Sequence, residues 1–115
     1  MSDIPDTVHT ALAGLRALGG DALAKQMAAV FIEYSAGRVD ALQGALDAGN
    51  LPDAAGAAHT LKGSARQLGL TAMAEACFAV EQASKQGDAA AARTLAAAVH
   101  ETYTTAVNWL RSATA

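Results

Sequence analysis

One histidine of this chain stands among residues that chemistry would use. In the segment Ala58-His59-Thr60-Leu61-Lys62-Gly63-Ser64-Ala65-Arg66-Gln67-Leu68-Gly69 a polar cluster surrounds His59 on an alanine-rich background. At about 100° per residue, His59, Lys62, Gly63 and Arg66 share one face of a helix, while Ala54, Ala58, Leu61, Ala65 and Leu68 share the other. The second face is expected to pack and the first to meet solvent. A neutral imidazole is a nucleophile, and cations at i+3 and i+7 attract an anionic phosphoryl group. The chemistry these residues favour is acceptance of a phosphate. Gly63 lies one turn beyond His59 and carries a helix-interior cost of roughly 1 kcal/mol relative to alanine. Close approach of another macromolecule to the imidazole is a reason to keep it.

Other chemistries find less support. His9 and His100 fall on separate helical segments with no i,i+4 partner, so no zinc signal arises and both are expected at surface or satisfied polar positions. The single cysteine, Cys77, excludes an internal disulfide; between Met73 and Val80 it reads as a small buried hydrophobe. Adjacent helix positions build no Ser/His/Asp or Cys/His arrangement, which disfavours a hydrolase. Gly-rich nucleotide loops, an ATP-binding half and an acidic triad for Mg²⁺ are missing from the sequence, so autokinase activity is not expected.

The elements that must hold these residues follow from glycine punctuation. A first segment over about residues 6–18 has the apolar stripe Val8, Leu12, Leu15 and Leu18, and Gly19-Gly20 ends it. A second opens at Asp21, a plausible N-cap, and carries Leu23, Met27, Val30, Phe31, Tyr34, Val39, Leu42 and Leu46 to the Gly49-Asn50 break; Gly37 and Gly44 are candidate kinks. Asn50 and Asp53 form an approximate capping pair for the motif helix, which tolerates Pro52 in its first turn and stops at Gly69. A fourth segment runs from about Thr71 to Gln86 with Met73, Ala76, Cys77, Val80 and Ala83 inward. Gly87-Asp88 closes it and caps a fifth that takes Leu95, Val99, Tyr103, Val107 and Leu110 inward. Short connections between four long helices predict an all-α fold: an antiparallel up-down-up-down four-helix bundle with a short N-terminal capping helix.

Composition agrees. The 115 residues make one domain, 1–115, and the 52% hydrophobic content is mostly alanine with few aromatics, which suits closely packed helices. No apolar run approaches the ~18 residues of a membrane span, and no basic stretch precedes an apolar signal core, so a cytoplasmic protein is expected. A formal charge of −3 without a basic run argues against nucleic-acid binding, whereas a local basic spot on an acidic chain can steer a carboxylate-bearing partner. With no obvious exposed apolar stripe, a monomer is expected.

His59-Thr60-Leu61-Lys62-Gly63-Ser64, with Gly69 closing the helix, resembles the signature of the histidine phosphotransfer (HPt) domains of bacterial phosphorelays. The likeness extends from about Leu15 to Leu110 through Leu18-Gly19-Gly20-Asp21, Phe31, Arg38, Ala45-Leu46, Cys77, Glu81, Gly87-Asp88 and Tyr103. It implies phosphorylation of His59 and a shuttle between aspartates of receiver domains, those of response regulators and of a hybrid histidine kinase, with Mg²⁺ brought by the receiver and no cofactor of the chain's own. Alternatives are the phosphoacceptor domain of a chemotaxis-type kinase and a receiver-docking module that carries no phosphate. Met1 and the lack of a downstream domain favour an independent shuttle.

Roles follow for single residues. Lys62 is expected to neutralise charge on the transferred phosphoryl, and Glu81, or Gln82 beside it, to orient the imidazole from the next helix so that Nε2 is left to attack. Ser64 lies at the flank, and Gln67 stands where the family often has asparagine. Arg66 occupies a position where the family commonly has a small residue. The receiver is expected to meet an apolar patch on the second and third helices, with Phe31 at its edge, Lys62 and Arg66 on a basic rim and Lys85 further out.

Overall fold

In a computed structural model residues 3–115 are described; Met1 lies outside them. Four helices follow one another: α1 (Asp6–Asp47), α2 (Leu51–Gln67), α3 (Thr71–Lys85) and α4 (Ala89–Ala113). The expected first and second segments are the two arms of α1, because the helix breaks at Gly19 (φ −147°, ψ 15°) and Gly20 (φ 74°, ψ −170°). Neither Gly37 nor Gly44 interrupts the longer arm.

Polar ties give the direction of packing. Arg93 Nε donates to the Leu46 carbonyl, His100 lies 2.9 Å from Gln43, and Tyr103 donates to the Ile32 carbonyl at 2.7 Å, so α4 runs antiparallel to α1. The result is an antiparallel four-helix bundle. Its first arm, residues 6–18, lies across the end formed by the α2–α3 turn and the C-terminus of α4. Thr7 Oγ1 donates to the Gly69 carbonyl at 2.6 Å and Arg16 Nη2 to the Ala113 carbonyl at 2.9 Å, while Val8 and Leu12 are fully buried.

The turns are set by local chemistry. Asn50 accepts from the Asp53 amide at 3.2 Å and starts α2; Asp88 accepts from the Ala91 amide at 3.0 Å and starts α4. After α2 the chain takes a left-handed residue at Gly69 (φ +70°), and the Leu70 amide reaches back to the Ala65 carbonyl at 2.9 Å. This closes α2 and turns α3 back along it.

The core corrects part of the expected stripes. The buried positions of the long arm of α1 are Ala24, Ala28, Phe31, Ser35, Val39, Leu42 and Leu46, a 4,3,4,4,3,4 spacing of the kind that faces a bundle seam. Small residues occupy its first part, which lets the helices approach closely. Met27, Val30 and Tyr34, expected inward, stand one flank away and are exposed, as are Leu18 and Leu95. An exposed apolar strip therefore exists, and the ground given above for a monomer does not hold.

Candidate functional site

A single carboxylate organises the motif face. Glu81, on α3, is 2% exposed. Its Oε1 accepts from Lys62 Nζ at 2.6 Å; its Oε2 lies 2.9 Å from His59 Nδ1 and 3.1 Å from Lys85 Nζ. Two of these donors come from α2, one turn apart, and the third from α3 itself at the i,i+4 spacing that brings helix side chains together. The α2–α3 turn at Gly69 fixes the register that lets them converge.

Burial alone would push the Glu81 carboxyl up, but hydrogen bonds from Lys62, Lys85 and His59 outweigh it and hold the group at about 2. An ionised carboxylate only accepts. Nδ1 of His59 must then carry the ring proton, and in the neutral imidazole Nε2 holds a free lone pair. The His59 side chain is 67% exposed, so that nitrogen is open to a partner.

Because Glu81 is ionised in the fold at pH values where the unfolded chain protonates it near 4.5, unfolding takes up a proton between about 4.5 and about 2. Stability is complete above that window and is lost as pH falls through it, by up to about 3 kcal/mol. Urea midpoints measured from pH 6 to pH 2 should show this fall in the wild type. A Glu81→Gln chain should lack that component; parallel curves would remove the carboxylate from the account.

The expected site residues divide by position. His59, Gly63, Arg66 and Gln67 lie exposed on α2, and Ser64 is half-buried. Glu81, not Gln82, is the residue that reaches His59. Lys62 departs from expectation: it is buried, its Nζ is bound to Glu81 and lies 5.1 Å from the centre of the Phe78 ring. Its ammonium is turned into the protein, where the Glu81 carboxylate and the Phe78 ring face take the place of its water. Lys85, expected on a distant rim, bonds Glu81 beside His59. Phe31, expected at an exposed edge, is 6% exposed and packs on Tyr103, since it belongs to the inward register of α1.

Sequence reasoning passed over Phe78 on this face, and expected an apolar patch on the second and third helices without assigning Met27, Val30 and Tyr34 to it. Phe78 stands three residues before Glu81 and presents its ring to Lys62; that spacing was its signal. Met27, Val30 and Tyr34 join Leu15, Ser64 and Gln67 around a shallow apolar groove with Phe31 and Leu68 as its floor. Elsewhere Cys77 is fully buried, its thiol pushed up to about 12 by burial and then by the nearby Glu81 charge. Among the described residues no group of three His, Cys, Asp or Glu side chains could hold a metal ion, and no helix is long and apolar enough to cross a membrane.

A family model described as Hpt domain matches residues 26–109, most of the chain. No curated protein and no solved structure shows a significant match.

Proposed function

Because the chain belongs to the Hpt domain family, whose members carry phosphoryl groups on histidine in phosphorelays and interact with receiver domains of response regulators and kinases, we propose that His59 is its phosphoacceptor. It takes the group from the aspartyl phosphate of one receiver, such as that of a hybrid histidine kinase, and gives it to the aspartate of another. The observation that carries this reading is the bond from His59 Nδ1 to the buried Glu81 carboxylate, made by a ring that is otherwise open to solvent.

The chemistry follows from that bond. The Nε2 lone pair attacks phosphorus, the bond from phosphorus to the aspartyl oxygen breaks, and the carboxylate leaves with the electron pair. Nδ1 keeps its proton, so the phosphorylated ring carries a positive charge that Glu81 compensates. Glu81 is a positioning residue, and Lys62 keeps it ionised and fixed. Mg²⁺ would come with the receiver, since among the described residues no cluster of carboxylates, histidines or cysteines suits a metal ion. On this reading the phosphoryl donor is a receiver rather than ATP, and autokinase activity is not expected.

The direct test is transfer in two stages. A receiver domain bearing radioactive phosphate should lose label to this chain, and the purified labelled chain should pass it to a second receiver. Failure of the first stage across a panel of receivers would leave a docking module as the better description.

Gly63 bears on docking. A Cβ built there meets nothing within 4 Å, so internal packing does not require glycine. We expect Gly63→Gln to fold with stability raised by up to about 1 kcal/mol, from helix propensity alone. It should nevertheless weaken receiver binding about tenfold by standing beside the imidazole. Thermal melts and titration calorimetry on the same sample check the pair of results, and undiminished affinity would remove Gly63 from the interface.

A further inference from the structure

His59 and Lys85 share one oxygen. Both reach Glu81 Oε2, whereas Lys62 alone holds Oε1. The two lysines differ in freedom. The Lys62 side chain is 11% exposed and lies over the Phe78 ring; that of Lys85 is 58% exposed. Detaching Lys62 would leave a buried ammonium without its partner, a strongly unfavourable change. Detaching Lys85 undoes one solvent-exposed i,i+4 contact, which is worth little.

We propose that Lys85, rather than Lys62, is the cation that meets the phosphoryl group on His59, leaving Glu81 Oε2 as the phosphohistidine forms. This rests on the phosphoacceptor reading above. When Nε2 bonds phosphorus and Nδ1 keeps its proton, the ring becomes cationic and its N–H a stronger donor to Oε2. That oxygen loses its use for a second cation as a dianion appears on the opposite side of the same ring. Lys85 has a flexible four-carbon stem and an exposed head, and it can follow the charge. Before transfer, Glu81 and the two lysines carry one net positive charge; afterwards the cluster with its cationic ring and phosphoryl group is neutral. Lys85 is then a catalytic residue, and it also gives the domain a side chain whose position reports its phosphorylation state.

Phosphoramidate tests this without a receiver. In that reaction the His59 Nε2–P bond forms, the P–N bond of the donor breaks, and ammonia leaves with the electron pair. Labelling of Lys85→Gln at saturating donor should be about tenfold slower than wild type, with half-saturation changed less than about twofold. Lys85→Arg should recover to within about threefold, because it keeps the charge. The ¹⁵N resonances of the unphosphorylated His59 ring should be unchanged in Lys85→Gln, and the ³¹P resonance of its phosphohistidine displaced from wild type at the same pH. A labelling rate within twofold of wild type overturns the proposal. So does a shifted ¹⁵N tautomer signature, which would mean that Lys85 acts through Glu81. A wild-type chain that forms no phosphohistidine would overturn the phosphoacceptor reading itself, a result distinct from either.

Discussion

A His59→Gln chain should take up no acid-labile phosphate from a phosphorylated receiver, a loss of at least about a thousandfold in labelling rate. Glutamine keeps a polar head that can donate to Glu81 but offers no nitrogen lone pair capable of attack. Neither remaining histidine can substitute. His9 is exposed on the short arm of α1 with no carboxylate among the described residues bonded to its ring, and His100 is engaged with Gln43 between α1 and α4. Since the His59 side chain is two-thirds exposed, the variant should unfold within about 0.5 kcal/mol of wild type. Mapping of label after acid and base treatment checks the first statement and urea melts the second. Undiminished acid-labile phosphate in the folded variant would move the acceptor to another residue.

The largest stability effect is expected at Gly69. Alanine there suffers twice: φ is +70°, and its Cβ would run into the Thr7 carbonyl of the short arm, a backbone group that cannot rotate aside. Gly87 separates the two penalties, because its φ is +76° yet a Cβ there meets nothing within 4 Å. Gly87→Ala should cost about 1 kcal/mol, the ordinary price of a left-handed alanine. Gly69→Ala should cost at least about 3 kcal/mol, since the arm must lift away from the turn and expose Val8 and Leu12. Equal losses in parallel denaturant titrations would show that the arm does not press on the turn.

Much of this arrangement could be read in the residues. Helix ends were legible because their chemistry is local: Asn50 and Asp88 cap, Gly69 and Gly87 turn, and Gly19-Gly20 break α1. The site's chemistry was legible as a list of side chains around His59. Its wiring was not. That Lys62 turns inward depends on Phe78 and Glu81 arriving from another helix at the right height, a tertiary circumstance that helical spacing within α2 cannot express. The stripes of α1 failed for a related reason. Large apolar residues were taken to face the core, whereas close packing gave the inward positions to Ala24, Ala28 and Ser35 and left Met27, Val30 and Tyr34 outside. Where alanine builds the core, size stops being a guide to burial, and the displaced residues become the surface on which a partner can settle.

One ring nitrogen of His59 is bonded to Glu81, which leaves the other for a partner. On the proposed shuttle two receivers would compete for that single nitrogen, so no ternary complex is expected on the route between them. The kinetics should be of the double-displacement type, with the donor departing before the acceptor binds and with double-reciprocal plots that run parallel. Each half-reaction approaches phosphorus in line with the departing group and inverts it. Over two such steps a chiral phosphoryl group should arrive at the final aspartate with the handedness it had on the first.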